Sequence, residues 1–309
     1  MLAAGARKEL TCLTEYGQPL QPFQRIRREY VEYQTQHPAN HMKNLEKYLQ
    51  VIQYLLPHED NSLLRPTLRH PDLQPNNVFV SDTLEITGVI DWQHCAILPL
   101  FLQAGIPGSL QNYGDSVSET LEPPMLPDDF DDQSENEQMN HVLQLRKRQL
   151  HYHYAMETRK LNAPHARALE DDTSVLRRKL FRRSGEPWEG CNTIFKRDLI
   201  ELTQWWRRLH AQSKESTVPE CPISFSKEEA ADTVRLADQM EAADTQYQTC
   251  LDLVGCGPEG WVPNEQYDDV RQREQQLKTD TLEVAESEEE RKEIIDNWIF
   301  DDFDETPYM

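Results

Sequence analysis

Apolar positions recur at helical spacing over most of this chain and at strand spacing in one short stretch. Leu45, Tyr48, Leu49, Ile52 and Leu56 share one face and predict a helix over 42–56, closed by Pro57. An earlier helix is expected over 24–35, and the polar run His58–Ser62 reads as a loop. The period then changes. Asn77–Val80 and Glu85–Ile90 are short, β-branched or aromatic runs separated by Ser81-Asp82-Thr83, the pattern of a β-hairpin. Pro99–Asp132 is rich in Pro, Gly and Asp and should be largely irregular. From about residue 136 helical periodicity returns. Phe195, Leu199, Leu202, Trp206 and Leu209 form one stripe, and Val234, Ala237, Tyr247, Leu251 and Val254 another. Trp205 and Trp206 lie at that first stripe, which makes them core rather than a stacking platform. The acidic end, from Glu286 to Glu305, predicts a charged helix and a loose terminus.

Charge narrows the function. Asp and Glu number 54 against 32 Lys and Arg, a formal charge of −22, and mean hydropathy is −0.76. A surface like that is repelled by phosphate backbones, so no nucleic-acid partner is expected. The charge is uneven: residues 141–210 hold 15 basic and 8 acidic residues. That belt reads first as solvated helix faces laced with ion pairs. The six cysteines form no CxxC pair, which fits reduced thiols better than a disulfide framework or zinc site. No apolar run has the length of a membrane span.

The candidate chemistry surrounds the hairpin. The sequence reads Arg69-His70-Pro71-Asp72-Leu73-Gln74-Pro75-Asn76-Asn77 into the first strand, and the second strand delivers Gly88-Val89-Ile90-Asp91-Trp92. The loop before one strand and the loop after its partner lie at the same end of a hairpin, so Asp72, Asn77 and Asp91 converge. Phosphoryl transfer needs a carboxylate beside the acceptor hydroxyl and hard oxygen ligands for magnesium. Asp72 suits the first role, and Asn77 and Asp91 suit the second, since Mg2+ keeps several waters and takes few protein ligands. His70, grouped with Asp72 as catalytic, braces the loop by hydrogen bonds, and Pro71 holds His70 extended. A metal-dependent hydrolase has less support, because no second His or carboxylate cluster accompanies these residues. His151 and His153 sit on one helix but do not face the same way.

The run His70–Asn77 followed by Ile90-Asp91-Trp92 resembles the aminoglycoside phosphotransferase and choline kinase superfamily, whose fold is similar to protein kinases. Leu68–Val80, Ile86–His94, Leu98–Pro107 and Gln111–Asp115 resemble more closely a fungal branch of it associated with mitochondria. The resemblance places the catalytic aspartate on Asp72 and the metal ligands on Asn77 and Asp91. Antibiotic-modifying members carry Gly after the His and a His-Pro-Gly-Asn ending. This chain has Pro71 and Gln74-Pro75-Asn76-Asn77, which argues against that activity.

The resemblance implies an α+β, mostly α fold: the C-lobe of a protein-kinase-like phosphotransferase, with a small β-hairpin carrying the catalytic and metal loops. It divides the chain into an N-terminal segment (1–20), a kinase-like C-lobe (21–215) and a C-terminal helical extension with an acidic tail (216–309). It implies Mg2+ and ATP as cofactors, a small-molecule substrate and a mitochondrial location, with the cytoplasm as the alternative. A working member has a sheet-rich N-lobe holding ATP, and the roughly 70 residues before His70 read as tail and helices. Lys8 and Lys43 do not lie in β-type runs. The motif Gly255-Cys-Gly-Pro-Glu-Gly260 matches G-x-G-x-x-G, but it follows a helix and reads as a helix C-cap and turn. The expectation is thus a phosphotransferase-type chain lacking its nucleotide lobe and inactive alone. Its exposed cleft face could then be covered by a protein partner. The second reading is a noncatalytic, pseudokinase-like interaction protein.

Overall fold

A computed structural model describes residues 1–17, 27–31, 34–57, 62–210, 218–257 and 260–301. In chain order the helices are α1 (Leu2–Tyr16), α2 (Pro38–Val51), α3 (Leu100–Gln103), α4 (Ser116–Thr120), α5 (Glu135–Leu161), α6 (Ala163–Glu170), α7 (Asp172–Arg183), α8 (Thr193–Leu209), α9 (Lys227–Val254), α10 (Tyr267–Val284) and α11 (Glu288–Asp296). The strands are β1 (Pro66–Arg69), β2 (Val78–Val80), β3 (Ile86–Val89) and β4 (Ala96–Pro99). The architecture is α+β and mostly α, as the periodicity predicts. Packing divides the chain into two units. One gathers Met1–Tyr54, Arg182–Trp206 and Pro219–Met309; the other gathers Leu55–Phe181 and Arg207–Val218.

In the first unit, α1 forms where the sequence suggested a tail. Its inward face is Ala6, Glu9 and Leu13, too small and too polar to show as an apolar stripe. The helix binds instead through close approach and one buried acid. A Cβ on Gly5 would sit 2.7 Å from the Gly185 Cα, and Glu9 accepts the Trp188 backbone N–H at 2.8 Å. The predicted stripe of α8 is confirmed, with Phe195, Leu199, Leu202 and Trp206 buried. Trp206 also donates its indole N–H to the Pro219 carbonyl at 2.7 Å. His41 of α2 is buried against Trp188 and Phe195, and neither ring nitrogen has a hydrogen-bond partner among the described residues. Burial alone pushes its pKa down to about 4.

Helix α9 starts on Ser226, whose hydroxyl accepts the Glu229 N–H, and stops at Gly255 in the left-handed region. The Gly255 and Cys256 amides both return to the Leu251 carbonyl, so the G-x-G-x-x-G match begins with a helix cap, as expected. Pro258 of that motif and Asp302–Met309 of the acidic tail lie outside the described residues. Of the helix expected over 24–35, residues 24–26 and 32–33 also lie outside them, and the described part holds the 3-10 turn Glu29–Val31 rather than an α-helix. The expected loop His58–Ser62 is described only at Ser62.

The second unit carries the strands in two antiparallel ladders. The predicted hairpin is β2 with β3, pairing Val78 with Val89 and Phe79 with Gly88. The other ladder, β1 with β4, was not predicted; it pairs Pro66 with Pro99 and Arg69 with Ala96. Between Pro99 and Asp132 the chain is largely irregular, apart from α3, α4 and a short turn of 3-10 helix. Helix α5 then begins with a reciprocal cap: Ser134 accepts the Glu137 N–H, and the Glu137 carboxylate accepts the Ser134 N–H. The basic belt is largely paired. Arg148 forks onto Asp115, Arg159 meets Glu170, Arg183 meets Asp198, and Arg197 meets Glu241. The Arg148 guanidinium holds the Asp115 carboxyl well below the usual carboxylate range. All six cysteines are free thiols. Among the described residues no helix is long and apolar enough to cross a membrane.

Candidate active site

The loop from His70 to Asn77 is folded by its own side chains. His70 is buried, and its Nε2 lies 2.7 Å from the Ile90 carbonyl oxygen, while its Nδ1 accepts the Asp72 backbone N–H at 3.2 Å. A carbonyl only accepts, so Nε2 carries the proton and Nδ1 is the acceptor. One neutral imidazole therefore ties the loop before β2 to the end of β3. The Trp92 ring packs edge-on to His70 at 4.8 Å, and its indole N–H donates to the Val89 carbonyl.

Asp72 is exposed, and one of its oxygens is held. Gln74 donates to Oδ2 at 2.7 Å, and the Asn77 amide nitrogen reaches the same oxygen at 3.4 Å and the Asp72 carbonyl at 2.9 Å. Oδ1 accepts no hydrogen bond among the described residues. With its nitrogen turned to Asp72, buried Asn77 presents its carbonyl oxygen, Oδ1, as the atom left for a ligand. The Ile90 N–H donates to the Asn77 backbone carbonyl at 3.0 Å, so the residue after Ile90 starts beside Asn77. That residue, Asp91, has a φ of 64°, an uncommon conformation for a non-glycine, and its exposed carboxylate has no hydrogen bond or ion pair among the described residues. A reverse turn follows, with the Cys95 N–H on the Trp92 carbonyl and an exposed Cys95 thiol.

The geometry thus brings His70, Asp72 and Asn77 into one hydrogen-bonded loop and sets Asp91 next to it. Two oxygen donors, an amide carbonyl and a free carboxylate, fit the preference of Mg2+ for few, hard protein ligands. No group of three His, Cys, Asp or Glu side chains able to hold a metal occurs among the described residues. A site completed by water and by phosphate oxygens needs none.

Sequence reasoning missed two contributors. Gln74 fixes the orientation of Asp72, and its only signal was position inside the motif. Arg69 anchors the loop from behind: it donates to the Gly105 carbonyl and lies 3.1 Å from His165 Nε2. Its partners lie far along the chain and left no local trace.

Residues 9–101 match the model of the phosphotransferase enzyme family, and they include every residue of this site. Over that stretch, under a third of its length, the chain resembles that family. Its described part has the mostly helical build, with small antiparallel ladders, of a kinase-like C-lobe. A relative in Aspergillus fumigatus, named subtelomeric hrmA-associated cluster protein, is 27% identical over 93% of this chain and 54% of its own length. Proteins named altered inheritance of mitochondria protein 9, mitochondrial, are similar over shorter stretches. The one from Kluyveromyces lactis is 22% identical over 68% of this chain and 32% of its own length. The one from Saccharomyces cerevisiae is 21% identical over 67% and 31%. The chain therefore spans about half, or less, of the curated relatives it matches. No solved structure matches it.

Proposed function

We propose that this protein takes part in ATP- and Mg2+-dependent phosphoryl transfer to a small hydroxyl- or amine-bearing molecule. The observation that carries the reading is the orientation of Asn77: its amide nitrogen is committed to Asp72, which leaves its Oδ1 for a ligand, and its backbone carbonyl holds the residue just before Asp91. Mg-ATP, when bound, supplies the transferable phosphoryl group and the positive charge that neutralises it. Asn77 and Asp91 are the residues to hold the metal. Asp72 orients the acceptor and takes its proton at Oδ1, because Oδ2 is pinned by Gln74 and Asn77. His70 touches none of the reacting atoms; it positions Asp72 through the backbone amide and Asp91 through Ile90.

Among the described residues before Pro66 there are helices and no strand. The nucleotide-holding lobe of the superfamily is sheet-rich, so the adenine site is proposed to come from chain outside the described residues. The names of the yeast relatives support a mitochondrial location, and the acidic surface supports the absence of a nucleic-acid partner.

The full-length gene product, incubated with Mg-ATP and a panel of small alcohols and amines, tests the reading. Asp72→Asn is expected to lose about 100- to 10,000-fold in kcat with little change in KM, the usual contribution of a positioned base. Asp91→Asn should weaken binding of Mn2+, used as a spectroscopic stand-in for Mg2+. Undiminished transfer by Asp72→Asn would sink the proposal.

A second reading has its own observation. Leu68, Phe79, Leu84, Ile86 and Ile97, all on or beside the ladders, are more than half exposed. Apolar side chains left uncovered on strands suit a surface that something else covers. In that reading the chain is a noncatalytic interaction protein. It predicts no metal binding at Asp91 and a stable complex in cell extracts that is lost in Leu84→Ser/Ile86→Ser.

A further inference from the structure

Behind the candidate active site, inside the second unit, positive charge accumulates without a matching acid. Arg69 directly precedes His70 and donates to the Gly105 carbonyl, with His165 Nε2 at 3.1 Å and the Tyr154 hydroxyl at 3.5 Å. None of these partners is anionic. Burial first, and then the Arg69 charge, lower the His165 pKa.

Arg178 of α7 lies near Arg69, whose charge lowers the Arg178 pKa further after burial. It donates no hydrogen bond among the described residues, and its Nη1 is buried without a partner. The neighbouring Arg177 is only 5% exposed, and its Nε is likewise buried and unpartnered.

One carboxylate, Asp171, answers to both Arg177 and Arg178. Its oxygens are already engaged: Oδ1 accepts from the Thr173 amide and hydroxyl, and Oδ2 from the Ser174 hydroxyl and Arg177 Nη1 at 3.3 Å. Arg177 and Arg178 thus share one acid, and none of the hydrogen-bond partners of Arg69 is an acid. A buried charge without a counter-ion is costly, and guanidinium donors match the oxygens of a phosphate or carboxylate. The segment from Gly105 to Tyr113 links this cluster to the catalytic loop, since the Ser109 hydroxyl reaches the Leu73 carbonyl at 3.4 Å.

We propose that Arg178, with Arg69 beside it, forms an oxyanion site that takes a phosphate group carried by the acceptor substrate. That the phosphate belongs to the acceptor rests on the phosphotransfer reading. The affinity for an oxyanion does not, and it can be measured without turnover.

Thermal melting and titration calorimetry of the 309-residue chain, at constant ionic strength, test it with inorganic phosphate, acetate, glucose 6-phosphate and glucose. Phosphate and glucose 6-phosphate should raise the melting temperature saturably, glucose should not, and acetate should act more weakly. Arg178→Gln should fold, melt no lower than wild type without ligand, and bind phosphate at least tenfold more weakly. The exposed Arg146→Gln should respond as wild type does. Asp72→Asn should keep the full phosphate response, so loss of transfer activity and loss of this site are separable. An unresponsive wild type, or equal responses in wild type and Arg178→Gln, would overturn the site. Binding of inorganic phosphate without glucose 6-phosphate would overturn its assignment to the substrate.

Discussion

A single buried imidazole sets part of the acid limit of this protein. His41 is 4% exposed, has no partner for either nitrogen among the described residues, and titrates at about 4 in the folded state against 6.5 in the unfolded chain. The unfolded state therefore binds more protons between those two values. The neutral ring's full contribution is present above pH 6.5 and is lost as pH falls from 6.5 towards about 4. At 1.36 kcal/mol per unit this amounts to roughly 3 kcal/mol. Chemical denaturation across pH 7 to 4 should show that decline, and His41→Leu should flatten it. An unchanged acid limb in His41→Leu would assign the loss to carboxylates instead. Much of the site was legible at this scale because its parts are near neighbours in the chain: His70, Asp72 and Asn77 form one loop, and Asp91 returns through a short hairpin. Arg69, Gly105 and His165 were not, since their pairing depends on tertiary packing that no local spacing encodes.

At the scale of elements, what was readable followed the amount of apolar contrast. The β2–β3 hairpin and the α8 stripe announce themselves by alternation and by period. The β1–β4 ladder does not, because a whole second hairpin separates its strands and proline stands at one end of each. Helix α1 was missed for the opposite reason: its contact is made by absence of side chain. Gly5 meets Gly185 backbone to backbone, so Gly5→Ala sets two opposing effects against each other. Helix propensity favours Ala by about 1 kcal/mol, whereas a Cβ 2.7 Å from the Gly185 Cα forces α1 away from the turn at Gly185, and overpacking typically costs about 1–3 kcal/mol. Because the obstructing atom is backbone, the second effect is expected to win and the melting temperature to fall. A rise would mean that α1 can shift at little cost.

For the whole molecule, the broad class was readable and the organisation was not. Strong helical periodicity, one hairpin and a large acidic excess predicted a mostly helical protein with chemistry at one place. The division into two units depends on returns of the chain, with residues 182–206 and 219–309 joining residues 1–54, and no composition shift marks it. The thiols offer a different kind of access to the intact protein. Cys95 is exposed, whereas the other five are half-buried, and burial pushes the Cys221 and Cys250 thiols up and away from the reactive thiolate. A maleimide added in limiting amount should therefore modify Cys95 first, as peptide mass mapping would verify; preferential labelling elsewhere would contradict it. Because Cys95 stands four residues beyond Asp91, on the turn closed by Trp92, a dye placed there would report occupancy of the neighbouring loop by its emission. The protein thus comes with its own attachment point for an optical sensor, and ligands could be screened before any reaction is known.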